Sequence, residues 1–365
     1  MTKSIRIGGA SGFWGDSVIA TPQLLNGNSL DFIVYDYLAE ITMSIMARAR
    51  SKDPSKGYAT DFVSSVMKLN LRQIADQKIK ILSNAGGVNP KACAEALREL
   101  IKEQNLDLKV AVILGDDLMS EKETLNRDNI LEMYSGVDFP DPDKIASINA
   151  YLGAFPIAKA LENGADIVIT GRSVDSAVTL GACIYSFGWN ENEYDFLSSG
   201  SLAGHIIECG TQSTGGNFTD WEQVSENLNN IGYPIVEIES NGLFTCTKSK
   251  SSSGIVNIGT VSEQMLYEIG DPQAYILPDV ICDFSNVELI EIENNMIQVS
   301  GAKGYPSPSD YKVSVTYADG FRGGHLCSFV GIDADKKAQV FGDAIFQRSK
   351  TIMRAMNIPD FDETS

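Results

Sequence analysis

The chain has only two histidines, and one of them, His205, opens a polar, glycine-rich stretch, GHIIECGTQSTGGNF, over residues 204–218. Glu208 follows three residues later, a spacing that puts both side chains on one face of a helix. Imidazole exchanges protons near neutral pH, and a carboxylate beside it can orient the ring, so the pair suits general acid–base chemistry. Two donors with no third in view make no metal site, and none is expected. Cys209, next in the chain, offers a nucleophile as an alternative. The plainer reading is a buried histidine that serves packing alone. A second candidate carboxylate is Asp116 in the GDD of residues 115–117, read as a general base, a Mg²⁺ ligand or an acidic turn.

An anionic substrate would need a cation and bare main-chain amides. VITGRSVDSA places Arg172 directly after a strand and Asp175 at the head of a helix, where a guanidinium can clamp a carboxylate or phosphate. Asp175 either caps that helix or holds the arginine. RIGGASGFWGD sets Gly8, Gly9, Ser11 and Gly12 after a strand, so that amides can approach an anion. No Gly-Lys-Ser/Thr follows, and the dinucleotide spacing is absent. NAGGVNP carries Asn84, Gly86 and Gly87 after another strand. Its Asn89 is the expected N-cap of the helix that Pro90 opens. Gly215, Gly216 and Asn217 close the histidine stretch as further binding candidates, and Lys248 is a second anion contact. His325, in FRGGHLC, is expected at a strand start with a packing role.

Each of these loops follows a short β-branched run, whereas the connections from helix back to strand are short and plain. That alternation predicts an α/β fold, with a doubly wound, mostly parallel sheet in the N-terminal half and the loops on its ligand-binding edge. IASINAYLGAFPIAKALENG reads as one helix in this scheme, and DFVSSVMKLNLRQIADQK as another. From about residue 200 the pattern changes to strands with antiparallel pairing. The expected division is a doubly wound domain over residues 1–200 and an α+β domain over 201–365 that lends GHIIECG to the site. HLCSFVGID is read there as a strand and KKAQVFGDAIFQRSKTIMRAM as a late helix.

The bulk numbers narrow the partners. A net charge of −19, from 29 Lys and Arg against 48 Asp and Glu, repels phosphate backbones and anionic lipid, so neither nucleic acid nor membrane is expected. No apolar run reaches the roughly 20 residues of a membrane span, and the first residues carry no apolar core of a secretory signal. Six scattered cysteines without a paired spacing suggest reduced, mostly buried thiols and a cytoplasmic setting. No cofactor motif is evident.

Taken in order, IRIGGASGFWGD, DYLAEITMS, NAGGVNP, NAYLGA, GADIVITGRSVDSA, GHIIECGTQSTGGNF, GYP, EQMLYEIGDPQAY and PDV resemble the acyclic terpene utilisation protein AtuA family, from about residue 4 to 320. The resemblance implies a cytoplasmic catabolic setting, with breakdown of acyclic terpenes or branched organic acids through CoA esters. It also implies a short companion polypeptide in many members, and it carries no assigned catalytic residues. Three functions follow as expectations. The first is a hydratase, isomerase or lyase acting on a small carboxylate or acyl-CoA thioester, as a homo-oligomer. The second is a nucleotide-dependent ligase or kinase with GGASG on phosphate and Mg²⁺ on Asp116 and Asp117. The third is a non-catalytic subunit that needs its companion.

Overall fold

The structure is a computed structural model that describes residues 3–361. Six strands come from the first half of the chain: β1 (Ser4–Gly9), β2 (Phe32–Tyr35), β3 (Lys80–Ser83), β4 (Val110–Val112), β5 (Ile145–Ala150) and β6 (Ile167–Ile169). All but β5 lie parallel, in the order β1-β2-β3-β6-β4. Helical crossovers produce this arrangement, because each returns the chain to the same end of the sheet.

The helices between them are α1 (Ala20–Leu25), α2 (Glu40–Lys52), α3 (Lys68–Gln77), α4 (Pro90–Glu103), α5 (Lys122–Arg127), α6 (Phe155–Glu162), α7 (Ala177–Phe187) and α8 (Tyr194–Glu208). Alternate residues of each strand feed two cores on opposite faces. Ile33, Tyr35, Ile81 and Ile169 meet α1 to α4, whereas Ile7, Val34, Leu82 and Val168 meet α6, α7 and α8. The sheet is therefore covered on both sides, and buried parallel strands read as continuous apolar runs for that reason.

The antiparallel half continues the same sheet. β7 (Pro234–Glu239) pairs with β1, β8 (Phe244–Lys248) pairs with β7, and α9 (Ile258–Leu266) follows. β9 (Tyr275–Ile276) and β10 (Ile281–Asp283) belong to a separate small sheet, whereas β11 (Glu288–Glu293) and β12 (Met296–Ser300) bring the large one to nine strands. β13 (Lys303–Tyr305) completes the three-stranded sheet, and β14 (Val313–Tyr317) pairs with β5. The expected boundary at residue 200 falls within α8, and β7 bonds directly to β1 across it. Compact units instead divide at Ala318 and Asp319.

The unit from Asp319 consists of an irregular segment and α10 (Ala334–Ala355), the expected late helix. HLCSFVGID forms no strand, and His325 and Cys327 are exposed there, so the expected packing role of His325 is not met. IASINA is a strand and not the start of a helix, because pairing with β14 overrides an apolar spacing that suited either. The segment before α3 begins with a π-helical turn, Phe62–Met67. Among the described residues no helix is long and apolar enough to cross a membrane.

Candidate active site

The loops leaving the parallel strands reach one rim. Gly9 pairs with Val34, Tyr35 with Ser83, and Ser83 and Val112 both with Ile169, so the strands end at nearly one level. Glycines then let α8 deliver its C-terminal end to that rim. A Cβ on Gly9 would strike the carbonyl oxygen of Ile207, and one on Gly12 would lie 2.5 Å from the carbonyl carbon of Cys209. Gly204 admits α7 in the same way, since a Cβ there would come 2.8 Å from the Ser176 oxygen. The glycines expected to bare amides for a ligand therefore serve first as packing surfaces for the helix that carries the histidine.

His205 is 1% exposed, and its Nδ1 lies 2.7 Å from Glu208 Oε1. The carboxylate accepts, so Nδ1 donates and the ring is fixed. Nε2 is buried and has no hydrogen bond among the described residues. The Tyr275 ring stands 5.9 Å from the imidazole, and Gln264 donates to the His205 carbonyl at 2.8 Å. Burial pulls the imidazole pKa down, but the Glu208 carboxylate more than reverses this, and the group is raised above its usual range. Burial raises Glu208 to about 7 against the pull of His205, with Asp175 and Glu268 adding to the rise.

Arg172 is 2% exposed and stands where the sequence put it, after β6. Its Nη1 donates to the carbonyls of Leu38 and Ser173, both at 3.1 Å, and to Asp175 Oδ1 at 2.7 Å. The Tyr151 ring lies 4.1 Å from the guanidinium carbon, with Lys312 Nζ 4.7 Å from the ring centre. Nε is buried and has no hydrogen bond among the described residues. Burial opposes the charge, but Asp175, Tyr151 and Asp36 hold the guanidinium protonated.

Asp36 is the residue that the sequence reading overlooked. It follows β2, is buried, and has its carboxyl held well above the usual range by burial, by Asp175 and by Glu208, with Arg172 opposing. Only its place after a strand end could have marked it. Asn84 serves this loop: its Nδ2 donates to Asp36 Oδ1 and its Oδ1 accepts from the Tyr37 amide at 2.8 Å. Ser11 Oγ ties the first loop to the second by donating to the Asp36 carbonyl at 2.9 Å.

Several expected contacts are thus occupied by the protein itself. Both ends of the Asn84 amide are used. The Gly86 amide donates to Thr170 and the Gly87 amide to Asn84, at 3.1 and 3.2 Å. The Gly12 amide donates to Asp16 Oδ2 at 3.0 Å. Gly8 faces Leu24 and Leu30. Asn89 does not cap α4 with its side chain, which instead donates to the carbonyls of Pro54 and Lys56. Asp116 accepts from Asn149 Nδ2 and from the Arg172 amide, each at 2.8 Å, and so braces the arginine loop. Burial raises its pKa. Asp117 accepts from the Met119 amide and faces Arg50 at 3.5 Å.

Gly215 packs on Val224, while Gly216 and Asn217 are exposed beyond it. Burial, then Glu208, raises the Cys209 thiol far above the range of a thiolate nucleophile. Among the described residues, no three His, Cys, Asp or Glu side chains converge as metal ligands would.

Asp175 pairs with Arg172 and acts electrostatically on His205, Glu208 and Asp36, which ties these five side chains to one stretch of the rim. No curated protein and no solved structure matches the chain. The model of one family, acyclic terpene utilisation family protein AtuA, matches residues 5–364, which extends past residue 320 and through the second unit, and the chain belongs to that family.

Proposed function

We propose that the chain is a catabolic enzyme acting on a small carboxylate or acyl thioester of terpenoid or branched-acid breakdown, in a hydration, isomerisation or C–C cleavage step. The observation that carries this reading is a fixed imidazole with one free nitrogen. Glu208 holds Nδ1, which leaves Nε2 to take a proton from substrate carbon or oxygen and return it. The Glu208 carboxylate raises the imidazole pKa, which strengthens Nε2 as a base. Arg172 supports binding of the carboxylate or the thioester oxygen, through a buried guanidinium whose Nε has no partner among the described residues. Membership of a family named for acyclic terpene utilisation supports the catabolic setting.

His205 is buried, so substrate entry requires the side chains over it to part. The test is turnover of unsaturated and hydroxylated acyl thioesters and their free acids by purified protein. His205→Gln is expected to lose at least 100-fold in kcat, and Arg172→Gln to raise KM. Wild-type rates in both variants would remove this assignment.

A further inference from the structure

Lys248 is a cation that the site above does not use. It ends β8 opposite Pro234, and Ile235 of β7 pairs with Gly8 of β1, so the lysine stands on the same rim as the loop after β1. It is 9% exposed, and its Nζ donates to the Ser252 carbonyl at 2.9 Å. It forms no ion pair among the described residues. In a chain with 48 carboxylates, leaving a buried ammonium without one is a costly choice, and burial lowers its pKa accordingly. An ammonium has three donors, and only one is engaged.

The surrounding loop is rich in the groups that bind tetrahedral anions. Ser249 Oγ and Ser251 Oγ lie 3.0 Å apart, and Ser252 Oγ donates to the Ser249 carbonyl at 2.7 Å. Asn230 pins the loop by donating to the Ser251 carbonyl at 3.1 Å, and the Ser253 amide donates to the Asn230 carbonyl at 2.9 Å. The amides of Lys250 and Ser251 have no hydrogen bond among the described residues. Gly232 lets the loop close on the lysine stem, since a Cβ there would come 3.0 Å from Lys248 Cδ. Thr214 Oγ1 donates to the Gly232 carbonyl, which joins this loop to the turn that follows α8 and Glu208.

We propose that Lys248, the hydroxyls of Ser249 and Ser251 and the amides of Lys250 and Ser251 form a phosphoryl-binding subsite. A compact ammonium with hydroxyls and amides suits a phosphoryl group, which accepts from several directions at once. Five strand steps separate β8 from β6 and Arg172, about 24 Å at ~4.8 Å per step. An extended ligand can therefore set its phosphate end here and its anionic reacting end at Arg172. That extension rests on the function proposed above, whereas the subsite does not.

The experiment is calorimetric titration of the full chain with pyrophosphate and, separately, with adenosine 3′,5′-bisphosphate. Both are expected to bind, with Lys248→Gln weakening each at least tenfold and Arg172→Gln leaving both unchanged. Lys248→Met preserves the apolar stem and removes the buried charge. It is expected to melt no lower than wild type, and it keeps the test decisive if the glutamine variant misfolds. Undiminished binding by a folded Lys248 variant, or no binding by wild type, overturns the subsite. Binding of pyrophosphate alone supports the phosphoryl subsite and overturns its extension to a ligand whose phosphate is carried on a nucleoside. An active His205→Gln variant would sink the catalytic proposal and leave these affinities untouched, so the two failures are distinguishable.

Discussion

At the scale of single residues, the site is governed by carboxylates that burial keeps from ionising freely. Asp175 touches Arg172 and raises both His205 and Glu208. Asp175→Asn therefore lowers both pKa values, and the pH–rate profile is expected to move toward acid. Proton NMR of the His205 ring would show the same shift without substrate. Asn84→Ala leaves the buried Tyr37 amide without its partner and Asp36 Oδ1 with only the Leu38 amide, with an expected loss of about 1–3 kcal/mol in denaturant unfolding. His205, Arg172 and their loops were legible in the sequence because few residue types can do their work. The use of Asn84 was not, because one amide after a strand can face a ligand or a neighbouring loop equally well. Asp36 escaped notice because nothing in the sequence distinguishes a buried acid from the many exposed ones.

At the scale of elements, close approach between β1 and α8 is the condition for a site at all. Gly9→Ala inserts a methyl into the Ile207 carbonyl, and Gly204→Ala one into Ser176 of the α7 turn. Each is expected to cost about 1–3 kcal/mol. The Gly9 variant is also expected to lose activity beyond its loss of folded protein, because α8 carries His205. Melting curves alongside specific activity separate the two effects. The β-then-helix alternation made the parallel sheet readable, since a crossover admits few alternatives. β5 was not readable, because its identity depends on β14, more than 160 residues later. The continuous nine-stranded sheet was hidden for a similar reason: the change of pattern near residue 200 marks a change from parallel to antiparallel pairing, and not a break in the sheet.

At the scale of the whole molecule, an excess of negative charge and several buried acids act in one direction. Burial raises Asp36 and Asp116, Glu208 to about 7 and Asp279 to about 6. For an acid whose folded pKa lies above its unfolded value, the native state binds more protons between the two, so stability falls as pH rises through that window. His205, raised in the fold, likewise contributes stability that is lost as pH climbs past its folded pKa. The melting temperature is thus expected to decline from about pH 5 to about pH 8, and Asp279→Asn to flatten the slope up to pH 6 while still accepting from the Ala154 amide. The most direct test of the account is deuterium uptake. During turnover in D₂O of a candidate acyl thioester, wild-type protein should place solvent deuterium on substrate carbon, and His205→Gln, folded and still able to bind substrate, should not. Equal incorporation by the two proteins would contradict a proton-transferring role for His205 and, with it, the site at this rim.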